Sequence, residues 1–180
     1  MKHLIWILTG FSLLFGCKTH KINVTENWEI KKPLKPESPG LKVIQYVRVM
    51  PDKNLEIQTD ETKKHYVVID DGSKIVIQLG KSISPKDTTL MDANIEYSLT
   101  FEVENPITEK KWSGEELKQI KATYGFHAFH PQAGYYPVSA GEIYIKPEKN
   151  KLIIEVNLPE KTGGKYINGT YEAPIPEKNK

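Results

Sequence analysis

Among its 180 residues the chain has one cysteine, Cys17, so it can form no internal disulfide and no thiolate metal cluster of its own. Long hydrophobic runs are also missing. The one apolar stretch, Leu4 to Phe15, falls short of the roughly 20 residues that a membrane-spanning helix needs. No glycine-rich phosphate loop or dinucleotide fingerprint is present. Nor is there a glycine-x-serine-x-glycine elbow, since Ser139 lies in Pro137-Val138-Ser139-Ala140-Gly141, and nucleophilic catalysis is left without a motif. Excess charge of one sign is absent too: 25 basic and 23 acidic residues give a formal net charge of +2. The lysines are dispersed among glutamates, as on a solvated surface, and give no argument for nucleic acid.

What the chain does have begins at its start. Lys2 and His3 precede the apolar run, which stops at Gly16-Cys17, the layout of a secretory signal peptide. Leu14-Phe15-Gly16-Cys17 resembles the lipobox of bacterial lipoproteins. Leu14, Gly16 and Cys17 match it, and Phe15 departs from the small residue usual there. The resemblance implies cleavage before Cys17 and a diacylglycerol lipid on that cysteine, with no other cofactor; two acyl chains make a stable anchor. Lys18 stands where an aspartate would, by resemblance to lipoprotein sorting, retain the protein in the inner membrane. Lys18-Thr19-His20-Lys21 lacks the acidic cluster that resembles a surface-export signal. The expected location is therefore the outer membrane, facing the periplasm.

The expected organisation is a signal peptide over 1–16, a lipid anchor and Pro/Lys-rich tether over 17–40, one β-rich domain over 41–176 and a polar tail over 177–180. Pro33, Pro36 and Pro39 in the second segment block helix and central-strand geometry, and an extended proline-rich linker spans roughly 3 Å per residue. Trp28 and Ile30 are its two residues able to dock on the domain. Without the first sixteen residues, 164 of the 180 remain, a normal length for one domain with a substantial core.

Within that domain, apolar residues recur at every second position. Ile95, Tyr97, Leu99, Phe101 and Val103 alternate with Glu96, Ser98, Thr100, Glu102 and Glu104, which predicts a strand with one face buried and the other wet. Further strands are expected over 41–50, 54–59, 64–70, 73–81, 120–130, 141–146, 152–158 and 165–175. Pro51-Asp52-Lys53 and Asp71-Gly72 read as turns between them. Asn150 and Gly163-Gly164 separate the last three strands, which should form a meander. One short helix opens at Ser113, with Glu116 placed to complete a capping box and Leu117 and Ile120 facing inward. About nine strands and one short helix make a mainly β protein, an antiparallel sandwich or barrel.

The most unusual stretch is Tyr124-Gly125-Phe126-His127-Ala128-Phe129-His130-Pro131-Gln132-Ala133-Gly134-Tyr135-Tyr136-Pro137. As a recognition surface it would offer large rigid rings with polar tips; His127, His130, Tyr135 and Tyr136, joined by Trp112 and Tyr144, are the candidate binding residues. As a metal site it would need His127, His130 and a carboxylate such as Glu142, or else His65. Three-residue spacing puts the two histidines on one face of a helix but on opposite faces of a strand, so His130 would have to belong to the following loop. Asp70-Asp71 are explained by a turn rather than by paired-carboxylate catalysis. Asp52-Lys53-Asn54-Leu55-Glu56 alternates oxygen ligands as calcium loops do, but Ile57 stands where that pattern needs glycine. Finally, Ala140-Gly141-Glu142-Ile143-Tyr144 is similar to a small-glycine-x-x-tyrosine stretch of periplasmic lysozyme-inhibitor lipoproteins, small β-barrels that insert a loop into the enzyme's cleft. The expectation is a non-enzymatic envelope lipoprotein whose β-domain binds a protein or glycan partner and no nucleic acid. The alternatives are an inhibitor or immunity protein against a toxin or lysozyme, and a metal-dependent enzyme using His127 and His130.

Overall fold

The computed structural model describes residues 20–36, 38–87, 93–149 and 151–174. The signal peptide, Cys17 with its lipobox, the turn residue Asn150 and the tail over 177–180 lie outside the described residues. The chain is mainly β, and among the described residues no helix is long and apolar enough to cross a membrane. Strands β1 (Trp28–Leu34), β2 (Leu41–Thr59), β3 (His65–Pro85), β4 (Ile95–Val103), β6 (Thr123–His127) and β7 (Gly134–Pro137) form one antiparallel sheet in the order β1-β2-β3-β4-β6-β7. Strands β10 (Gly169–Pro174), β9 (Lys151–Asn157), β8 (Glu142–Pro147) and β5 (Lys110–Ser113) form a second sheet in that order. The expected meander of the last three strands is therefore present.

Inward residues of both sheets join in one core. Val47, Val49, Ile77, Leu79, Leu99 and Phe101 from the first sheet cluster with Ile143, Ile145, Leu152 and Ile154 from the second. The capped turn is a 3-10 turn over Gly114–Lys118 with the Ser113/Glu116 capping box in place and Leu117 buried. A one-turn helix, α1 (Gly164–Ile167), replaces the start of the expected last strand, because Gly163 takes φ 86 and turns the chain before it.

Three expectations about the first sheet are overturned. Residues read as a tether are part of the domain: β1 pairs with β2 from Trp28↔Val49 to Leu34↔Val43, while Ile22 and Val24 are buried in the core. The proline argument fails at Pro33 because β1 is an edge strand, where a missing N–H breaks no ladder. Four short expected strands are two long ones. Pro51-Asp52-Lys53 and the Asp71-Gly72 pair lie opposite each other in the β2–β3 register, with Lys53 facing both Asp71 and Lys74. Residues that could each close a hairpin instead make a shared bulge that lets both strands bend. The turn itself is Asp60–Lys64, where Asp60 Oδ1 accepts the backbone N–H groups of Thr62 and Lys64 at 2.8 and 2.9 Å.

The third correction concerns β4. Its polar face is not wet: Ser98, Thr100 and Glu102 are as buried as Leu99 and Phe101. Past the bulge, the far half of the β2–β3 hairpin folds back over that face. Leu55 donates its N–H to Glu102 Oε2 at 2.8 Å, and His65 at the start of β3 pairs with Tyr135 of β7. The first sheet thereby closes from β3 through β4, β6 and β7 back to β3. Sandwich and barrel coexist, one face of this sheet meeting the second sheet and the other enclosed by its own hairpin.

Candidate functional site

Hairpin β6–β7 is built from the aromatic stretch singled out above, and strand alternation sends its side chains to two different places. Tyr124 and Phe126 turn toward the core side, whereas Gly125 and His127 turn to the enclosed polar side.

On the core side, aromatic rings stack across elements. Tyr97 of β4 lies on Tyr166 of α1, with ring centres 3.8 Å apart and planes inclined by 2°, and on Phe126 at 5.4 Å. Tyr124 meets Tyr136 at 6.3 Å. These rings, with Gln132, Lys161 and Thr162, line an open groove of about 600 Å³. Burial, followed by the nearby Tyr166 and Tyr136 hydroxyls, pushes the Tyr124 phenol up to about 12, so the Tyr124 hydroxyl is an uncharged donor at neutral pH. Lys165 holds its ammonium 5.7 Å above the Tyr166 ring, adding positive charge to the rim.

On the polar side, Tyr46 donates its hydroxyl to Glu96 Oε1 at 2.6 Å; burial, and then this bond, hold the Tyr46 phenol well above its usual range. The His127 ring sits edge-on to Tyr135 at 4.9 Å, directly across the ladder from Glu96. Gly125 leaves room for both neighbours: a Cβ there would lie 2.4 Å from Ser98 Oγ and 2.8 Å from His127 Nε2. Ser82, Asn94, Glu96, His127 and Phe129 border an open cleft of about 530 Å³ on this side.

The six candidate binding residues do not share one surface. Trp112 is in the core, 6% exposed, because the apolar position of short strand β5 is the one that faces inward. Tyr144 is on the second sheet, donating to Glu109 Oε1 at 2.6 Å. Tyr135 and His127 belong to the polar side, Tyr136 and His130 to the groove side. The metal arrangement does not assemble either: His130 leans on Phe126 at 5.9 Å, His127 faces Tyr135, and Glu142 pairs with Lys111 at 2.8 Å on the other sheet. His65 bonds to Thr59 through Nδ1 at 3.0 Å. Among the described residues no group of three or more His, Cys, Asp or Glu side chains could hold a metal ion.

Sequence reasoning missed Tyr97, Tyr166, Tyr66 and Phe129 as site residues. Only Phe129 had a local signal, as an apolar residue between two histidines just before a proline. Among the described residues three large hydrophobic side chains are exposed, Tyr66, Phe129 and Tyr136. All lie on or beside this hairpin, since Tyr66 follows His65, the residue paired with Tyr135. No protein-family model matches the chain, and no curated protein or solved structure does.

Proposed function

We propose that this protein is a lipid-anchored binding protein of the bacterial envelope, held through a diacylated Cys17 in the outer membrane and facing the periplasm. It recognises its partner with the end of the sandwich built on hairpin β6–β7 and performs no chemistry of its own. The observation that carries the recognition site is that the three large hydrophobic side chains exposed among the described residues, Tyr66, Phe129 and Tyr136, all belong to hairpin β6–β7 or to the start of β3 that pairs with it. Exposed apolar residues scattered over a surface need no explanation, but their concentration on one structural unit marks it as the place where a partner would dock.

The orientation of the domain supports the same reading. Ile22 bridges Ile107 beyond the end of β4, whereas Tyr97 and Phe126 pair near its beginning. The strand between Tyr97 and Val103 spans about 20 Å at roughly 3.4 Å per residue. An anchor at Cys17, five residues before Ile22, would hold that end toward the lipid and present the hairpin away from it.

Affinity capture from envelope extracts tests the reading, with the wild-type protein compared to a Tyr66→Ser/Tyr136→Ser variant of equal melting temperature. A partner retained by the wild type and depleted at least about tenfold by the variant is expected. Equal recovery by both proteins removes the recognition site.

A further inference from the structure

We propose that the tip of hairpin β6–β7 is a preformed insertion loop with Phe129 as its knob, and that it fits an apolar pocket on a partner protein. This rests on the binding reading above and specifies how the contact is made.

Phe129 is 91% exposed, about twice as much as Tyr66 at 40% or Tyr136 at 44%. A ring left in water in this way adds little to the stability of the monomer, and burying it against a partner is favourable. The loop that displays it is fixed from within. Ala128 O accepts His130 N–H at 2.8 Å and His130 O accepts Ala133 N–H at 2.9 Å. His130 Nδ1 accepts Gln132 N–H at 3.1 Å, and Gln132 O accepts the Tyr136 hydroxyl at 2.5 Å. Pro131 restricts the backbone between them, and the His130 ring rests against Phe126. A loop held this way loses little conformational entropy on association, which is what a recognition loop requires.

The composition of the tip selects the partner. Residues 128–133 are Ala-Phe-His-Pro-Gln-Ala, with no lysine, arginine, aspartate or glutamate. Entry into an apolar protein pocket therefore desolvates no carboxylate, ammonium or guanidinium. A lipid surface is the weaker match, because the basic residues that draw a loop to anionic headgroups are missing from the tip.

The test is site-specific photo-crosslinking in full-length protein expressed in its own cells. A benzophenone amino acid replaces Phe129, then separately Tyr136 and Tyr144, the last as a control on the second sheet. The expected result is one protein adduct from position 129, absent from position 144 and competed away by excess wild-type protein. With that protein purified, Phe129→Ala should weaken binding at least about 30-fold, as for an interface anchor, and Phe129→Leu much less. An adduct with lipid, an adduct between two copies of this chain, no adduct at 129, or unchanged affinity of Phe129→Ala would each overturn the insertion loop. An adduct from position 136 with position 129 silent would overturn only the loop and leave the binding reading standing. Silence at both positions would remove both.

Discussion

Glu102 and Leu55, 47 residues apart in sequence, are joined by a hydrogen bond of 2.8 Å from the Leu55 backbone N–H to the Glu102 carboxylate. Lys121 completes the grip: its Nζ donates to Leu55 O at 2.5 Å and lies 3.1 Å from Glu102 Oε1. Both backbone groups of one residue in the folded-over hairpin are thus held by a side-chain ion pair rooted in the sheet beneath. Lys74 adds a second cation at 2.8 Å from Glu102. The carboxylate is 1% exposed yet fully partnered, which is the condition for tolerating a buried charge.

Glu102→Gln should therefore destabilise the fold by about 2 kcal/mol, the range for losing charge-assisted bonds, read as a lowered urea midpoint. Burial pushes the Glu102 carboxyl up, but Lys74, the Leu55 N–H and Lys121 outweigh it and hold the group below its ordinary value. A depressed carboxyl contributes stability above its unfolded pKa and loses it as pH falls through the folded one. The wild type should lose stability on acidification below the ordinary carboxylate range, and the Gln variant should show a shallower loss there. Parallel slopes for the two proteins would show that Glu102 does not supply this dependence.

Ile22→Ala should cost about 2 to 4 kcal/mol, the usual loss for a buried isoleucine, because Ile22 lies in the core and its backbone bridges Ile107. A flexible tether would make the same substitution silent. Thermal unfolding of wild type and variant separates the two.

Thr100→Val should raise stability by about 1 kcal/mol, since a buried hydroxyl without a partner is costly. Thr100 Oγ1 and Ser98 Oγ are both buried and unpartnered, under the folded-over hairpin. A lower urea midpoint for the variant would mean that the hydroxyl makes a bond in solution.

Gly125→Ala should destabilise by about 1 to 3 kcal/mol, as overpacking does, since the added methyl would lie 2.4 Å from Ser98 Oγ and 2.8 Å from His127 Nε2. Ser98→Ala in the same chain should return part of that loss by removing the nearer atom. Strict additivity of the two substitutions would refute the proposed contact.

Cys17→Ser should abolish incorporation of a labelled fatty acid. Continued labelling would place the lipid elsewhere. Because the domain is folded from Ile22 onward, its melting temperature should be unchanged.

The chain's local pattern determined its class and most of its strand positions. Alternation over 95–103 made β4 a strand, the Ser113/Glu116 pair made a capped turn, and the last three strands formed the expected meander, all because these signals act between near neighbours. Partner choice at sheet edges is a long-range matter, and the same residues can serve two ends. Pro51-Asp52-Lys53 and Asp71-Gly72 have turn chemistry in either case; only their position across from each other in the β2–β3 ladder makes them a bulge. The candidate site shows the same division. Its hairpin stood out in sequence as a dense aromatic run, but periodicity alone could not bring Tyr97 and Tyr166 into contact or set His65 beside Tyr135. Tertiary closure of β3 onto β7 decided that, because burying the polar face of β4 required the long hairpin to fold back over it.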